Sequence, residues 1–239
     1  MSGPVAEVDN LPDSNFDQQG IDIVPPEKRD GRPKDLFFLW AGTTTNIFTV
    51  SYGAMLVLLF GLNFWQALTA IVLGNLFSYP LLALASVQGP ATGTTNMTIS
   101  RAWLGPRGGR PNGVFSWLML LGFEAAGLIL VYYAVAALLS LAGISLGSAG
   151  EIVLIAALGI LQMLLPLIGY HLLMVAQKYA AIIFAGAFCV LAVVIIPHTN
   201  IFDATAGATT ATLISAISFV AISGGLSWAC SGSNFSRYL

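Results

Sequence analysis

Six stretches of the chain are apolar over roughly twenty residues, the length a helix needs to cross the hydrocarbon of a bilayer. They run over 36–61, 64–87, 113–142, 151–170, 176–197 and 209–231. Between the second and third lies "VQGPATGTTNMTISRAWLGPRGGRPNG", rich in Gly, Thr and Pro. It is too polar to face lipid in extended form, so a cytoplasmic loop or short interfacial helix is expected. Residues 1–35 carry prolines and acidic side chains and read as a disordered cytoplasmic tail. They lack the pattern of a cleavable signal peptide. The pattern as a whole predicts an all-α polytopic membrane protein, with a tail over 1–35 and a membrane domain of six helices over 36–239.

Charge placement orients the six. All nine basic residues fall on one side if the N-terminus is cytoplasmic. Lys28, Arg29, Arg32 and Lys34 lie in the tail, and Arg101, Arg107 and Arg110 in the second-to-third connection. Lys178 begins the fifth stretch and Arg237 follows the sixth. The opposite connections, near 62–63, 143–150 and 198–208, hold none. The expected location is therefore the cell's inner or plasma membrane, multi-pass. Composition agrees: 56% of residues are hydrophobic and 8% charged, far from the soluble balance. Cys189 and Cys230 both lie in apolar stretches, which reads as small packing residues rather than a disulfide framework.

Polar residues inside the spans carry the functional information. The first span holds Thr43, Thr44, Thr45 and Asn46 in a row. One Thr can return its hydroxyl to a carbonyl one turn back. Four successive residues point around the whole helix, however, and Asn46 has more donors and acceptors than a regular helix satisfies. An interruption around 43–47 is expected, and irregular backbone at membrane depth is tolerated only within protein or along a cavity. The sixth span has its own irregularity in "ISGGLSWACSGSNFSRYL". Its paired glycines fit either close helix packing or a second interruption. First and sixth spans are corresponding positions of a five-plus-five inverted repeat, where interrupted segments mark transporter binding sites.

In the third span, Glu124 is a carboxyl deep in an apolar helix, so it faces the bundle or a water-filled cavity. It reads as a packing or scaffold group, or as part of a substrate path, with Lys178 a partner if the fifth helix reaches it. Phe123 and Gly127 share one helix face and form a flat wall with a recess. Asn75 is expected to bond a neighbouring helix, and Pro166 with Gly169 to kink or end the fourth. His171 and His198 have no companion at metal-ligand spacing. No phosphate loop, nucleophile elbow, paired catalytic carboxylates or basic nucleic-acid surface is present, so neither an enzyme nor a nucleic-acid binder is indicated.

Several segments resemble the nucleobase:cation symporter-1 family of purine, cytosine, allantoin and hydantoin permeases, most of all its purine–cytosine branch. They are "PPEKRDGRPKDLFFLWAGTTTNIFTVSYGAML", "TGTTNMTISRAWLGPRGGRPNG", "LGFEAAG" and "SWACSGSNFSRYL". The resemblance covers nearly the whole chain and implies a LeuT-like inverted-repeat transporter fold of ten core helices, usually with two more. Only the first six would be present here, as a fragment or truncated product. It further implies symport of a nucleobase or related heterocycle with Na⁺ or H⁺, no resident cofactor, and a monomer in the lipid bilayer. By the same resemblance, substrate contacts fall on Thr44, Thr45 and Asn46 of the first break, on Phe123, Glu124 and Gly127, and on Gly224, Gly225 and Trp228. Na⁺, where used, is held by backbone carbonyls near Gly42 and Thr45 and by groups of the eighth helix. Phe123 stands where the family usually has Trp, Gly127 where an amide is common, and Asn234 where Asp is frequent. These departures bear on which heterocycle is taken. The alternatives are a LeuT-like carrier of another small solute, such as an amino acid, and a non-transporting membrane scaffold.

Overall fold

The computed structural model describes residues 20–167, 170–199 and 207–239, and its regular elements there are all helical. The helices are α1 (Pro33–Thr44), α2 (Ile47–Leu58), α3 (Phe64–Thr92), α4 (Asn96–Leu141), α5 (Ser148–Leu167), α6 (Tyr170–Ile195), α7 (Thr210–Ala221) and α8 (Gly232–Ser236). Among the described residues, four helical stretches are long and apolar enough to cross a membrane: Phe64–Thr92, Asn96–Leu141, Leu173–His198 and Thr210–Ser236. Ile47–Leu58 and Ser148–Leu164 are apolar but shorter. At most 22% of any of the four apolar stretches is buried within the protein, which leaves the rest for lipid to cover. The chain is a multi-pass helical membrane protein.

Helix α3 is the spine. Asn63 and Gln66 form a reciprocal cap at its start, and Gly93 ends it in the left-handed conformation, its N–H on the Gly89 carbonyl at 2.7 Å. The buried positions Ala67, Ala70, Gly74, Ser78, Leu82 and Gly89 lie on one face and are mostly small, so other backbones approach closely. The segment over 210–239 packs along that face. A Cβ on Gly74 would sit 2.7 Å from the Val220 Cβ. Ser233 and Ser236 donate to the Ala85 and Ser86 carbonyls of α3 at 3.1 and 2.6 Å. At the other end of α3, Gln66 Nε2 donates to the Ala208 carbonyl at 2.8 Å and Gln66 Oε1 accepts from Ala208 N at 2.9 Å. A core of Leu56, Leu62, Ala67, Ala70, Ala216 and Val220 closes between these ties. Helix α1 packs on α6, where Gly42 meets the backbone of Gln177.

Three differences from the sequence reading have physical causes. The second-to-third connection is helical from Asn96, capped by Thr95, and turns at Gly105, whose φ of 69° suits glycine. The second span continues past its expected end, through Pro90 to Thr92. Of the expected tail, residues 20–32 are packed rather than free: Val24 is fully buried and its N–H bonds the Gly93 carbonyl at 2.8 Å. Arg29 ties the same segment to the Pro90 carbonyl at 2.9 Å. Residues 1–19 of that tail, Gly169, and the side chains of Pro166 and His171 lie outside the described residues.

Candidate functional site

The break in the first span falls at two residues, Thr45 and Asn46, between α1 and α2. Asn46 adopts an extended backbone and caps α2, its side-chain oxygen accepting from Thr49 N at 3.2 Å. Its Nδ2 donates across the gap to the Thr43 carbonyl at 2.5 Å. Thr49 spans the same gap, its hydroxyl donating to the Thr44 carbonyl. Thr43 and Thr44 donate their hydroxyl protons back to the Leu39 and Trp40 carbonyls, each at 2.8 Å, while the Thr44 hydroxyl also bonds Tyr79 of α3. Thr45 N donates to the Ala41 carbonyl, and among the described residues no donor reaches the carbonyls of Gly42 and Thr45.

The sixth span breaks opposite. After α7 the chain makes a wide turn over Ile222–Leu226, and Gly224 departs from helical geometry with ψ of −127°. The Ser227 hydroxyl donates to the Gly224 carbonyl at 2.9 Å and restores one lost bond. Trp228 follows, and its ring lies stacked on that of Phe123, centroids 6.0 Å apart with 20° between planes. Trp40 meets Trp228 edge-on at 6.1 Å, and Phe48 meets Phe123 edge-on at 6.2 Å.

Between the two breaks is a cavity of about 730 Å³. Its wall includes Gly42, Thr44, Asn46, Phe123, Glu124, Gly127, Gly224 and Trp228, all singled out from sequence. Thr45 and Gly225 are not part of it. Gly225 instead faces α3, where a Cβ would lie 2.9 Å from the backbone of Ser78 and Tyr79. At Gly127 a Cβ would meet the Phe48 ring at 3.6 Å, so the recess is filled by an aromatic from α2. Lys178 is directed elsewhere than Glu124, its ammonium 5.6 Å from the Phe38 ring centroid.

Sequence reasoning missed part of this wall. Tyr52 from α2, Asn75 and Tyr79 from α3, and Gln177 and Phe184 from α6 also line it. Asn75 bonds its own helix, Nδ2 to the Ile71 carbonyl at 2.9 Å, rather than a neighbour. The available signal was spacing: Phe48 with Tyr52, and Asn75 with Tyr79, are pairs four apart on otherwise apolar helices.

Comparison with known proteins finds similarity at two depths. A curated relative, the Bacillus subtilis (strain 168) protein named "Putative purine-cytosine permease YxlA", is 35% identical over 114 residues. That match spans 48% of this chain and 25% of the relative, so the chain corresponds to only part of that protein. No solved structure matches. A family model described as "Permease for cytosine/purines, uracil, thiamine, allantoin" matches residues 23–239, from the packed N-terminal segment through both breaks to the last residue. The chain belongs to that permease family.

Proposed function

We propose that this chain forms the substrate-holding half of a secondary active transporter, which carries a nucleobase or related heterocycle across the membrane together with Na⁺ or H⁺. The observation that carries the reading is the cavity between two interrupted spans, walled on one side by the stacked Phe123 and Trp228. A flat heteroaromatic ring is the ligand such a wall recognises, by stacking. Two stacking distances of about 3.5 Å require roughly 7 Å between the rings. The planes of Phe123 and Trp228 are no further apart than their 6.0 Å centroid distance, so they part by at least about 1 Å to admit a ligand between them, a motion Trp228 makes on the irregular segment after Gly224. Polar contacts to the ring edges come from Asn46, Glu124 and the groups around Thr44. The unbonded carbonyls of Gly42 and Thr45 supply two of the oxygens a hard cation such as Na⁺ takes. The remaining ion ligands come from helices beyond Leu239, in a LeuT-like arrangement in which the present residues are the first six spans of a longer protein. The distribution of basic residues supports a cytoplasmic N-terminus.

The test is uptake of radiolabelled adenine, guanine, hypoxanthine or cytosine by cells expressing the full-length protein. Phe123→Ala removes the stacking face and Asn46→Ala the cap that shapes the break; each lowers uptake at least about tenfold. Wild-type uptake that survives both substitutions overturns the assignment. Dependence on Na⁺ or on external pH identifies the coupled ion.

A further inference from the structure

We propose that Asn75, on helix α3, is a specificity-determining residue of this cavity, whose amide oxygen accepts a hydrogen bond from an amino group of the bound heterocycle. The inference rests on the reading of the cavity as a heterocycle site. It adds a helix that neither break contains.

The orientation of the Asn75 amide follows from its own helix. Nδ2 donates to the Ile71 carbonyl at 2.9 Å. A reversed amide would set two acceptors against each other, so Oδ1 is the atom left facing the cavity. No donor among the described residues reaches it. Gly224 keeps it uncovered: a Cβ at that position would lie 2.9 Å from Asn75 Oδ1. Ser78, three residues further along α3, is the independent observation. It is fully buried and its hydroxyl has no hydrogen-bond partner. It lies 3.6 Å from the same Gly224 Cβ position. A buried hydroxyl without a partner is uncommon and marks a place where a water or ligand completes the bonding. The Asn75 acceptor and the Ser78 hydroxyl thus both lie against Gly224, and of the two it is Asn75 that lines the cavity with it.

The chemistry that meets a lone amide acceptor is an N–H. Cytosine and adenine present an exocyclic amino group where uracil and hypoxanthine present a carbonyl oxygen. Against Asn75 Oδ1 the amino group bonds and the carbonyl repels. Sites that pair a substrate N–H reject the analogue lacking it more strongly than apolar pockets reject a change of size.

The experiment measures binding of cytosine, uracil, adenine and hypoxanthine to the purified full-length protein and takes the amino-to-oxo affinity ratio within each pair. Because the ratio is taken within one preparation, a smaller folded fraction cancels. Wild type favours the amino member. Asn75→Leu lowers that preference about tenfold, mainly by weakening the amino member. Gly224→Ala covers the oxygen from the opposite side and lowers the same ratio. Asn75→Leu that shifts both members equally, or a wild type that favours the oxo members, overturns the role of Asn75 and leaves the site reading standing. A wild type that binds none of the four overturns the site reading itself, and the role of Asn75 with it.

Discussion

Gly53 and Gly225 are both glycines within apolar spans, and what lies beside each separates them. A Cβ on Gly53 meets nothing within 4 Å, whereas one on Gly225 lands 2.9 Å from the Ser78 carbonyl and the Tyr79 nitrogen, which are backbone and cannot swing aside. Gly225→Ala therefore forces the sixth span away from α3. The expected cost is about 1–3 kcal/mol, read as a lowered thermal midpoint in detergent, with Gly53→Ala near wild type. Equal midpoints for the two variants would show that the close approach at Gly225 is absent. That Gly224 borders the cavity against α3 side chains while Gly225 lies on the α3 backbone is not legible in a Gly-Gly pair, because the phase of the wide turn decides it. The Thr run is a similar case. Four polar residues in a row announce an interruption, yet the return of the Thr43 and Thr44 hydroxyl protons to their own helix depends on rotamers that the sequence does not display.

At the scale of elements, the four long apolar helices of the described residues were legible and their ends were not. Apolar length marks α3, but "QGPATG" reads as a stop, and the helix continues because neighbours serve the groups that proline leaves unpaired. The Ser86 carbonyl, which has no N–H to meet at Pro90, accepts from the Ser236 hydroxyl at 2.6 Å. The opposite end depends on one side chain doing three things. Gln66 accepts from the Asn63 N–H at 3.4 Å, donates to the Ala208 carbonyl at 2.8 Å and accepts from Ala208 N at 2.9 Å. It therefore joins the start of α3 to the approach of α7, across 142 residues of chain. Gln66→Leu keeps the volume and removes all three bonds, leaving a backbone pair short of partners. The expected loss is about 1–3 kcal/mol in a denaturant or thermal titration. Unchanged stability would mean that water replaces the side chain there without penalty.

At the scale of the whole molecule, polar side chains collect at the two ends of the α3 spine and the apolar core lies between them. The end that carries the N-terminal segment is the more extensively bonded. Arg237 is buried, and its guanidinium donates to the Gly20 carbonyl at 2.8 Å and to the Tyr238 hydroxyl at 2.8 Å. Gly31 N donates to the Tyr238 carbonyl at 2.8 Å, and Asn96 holds the sixth span through the Ala229 carbonyl and Ser233 N. The segment over 20–32 is thus a strap fastened to the two spans that form one side of the cavity. Composition reads it as a tail because its apolar content is low. It is ordered by backbone carbonyls offered to two arginines, which composition does not register. Removing one fastening tests this directly. Arg237→Ala leaves Lys28 and Arg29 intact as tryptic sites while deleting the charge-assisted bonds, each worth about 1.5–3 kcal/mol. When opening is fast relative to cleavage, the cut rate follows the open population. Tryptic cleavage after Lys28 and Arg29 in the detergent-solubilised protein should therefore rise about tenfold or more. A cleavage rate equal to wild type would mean that Arg237 does not hold the strap.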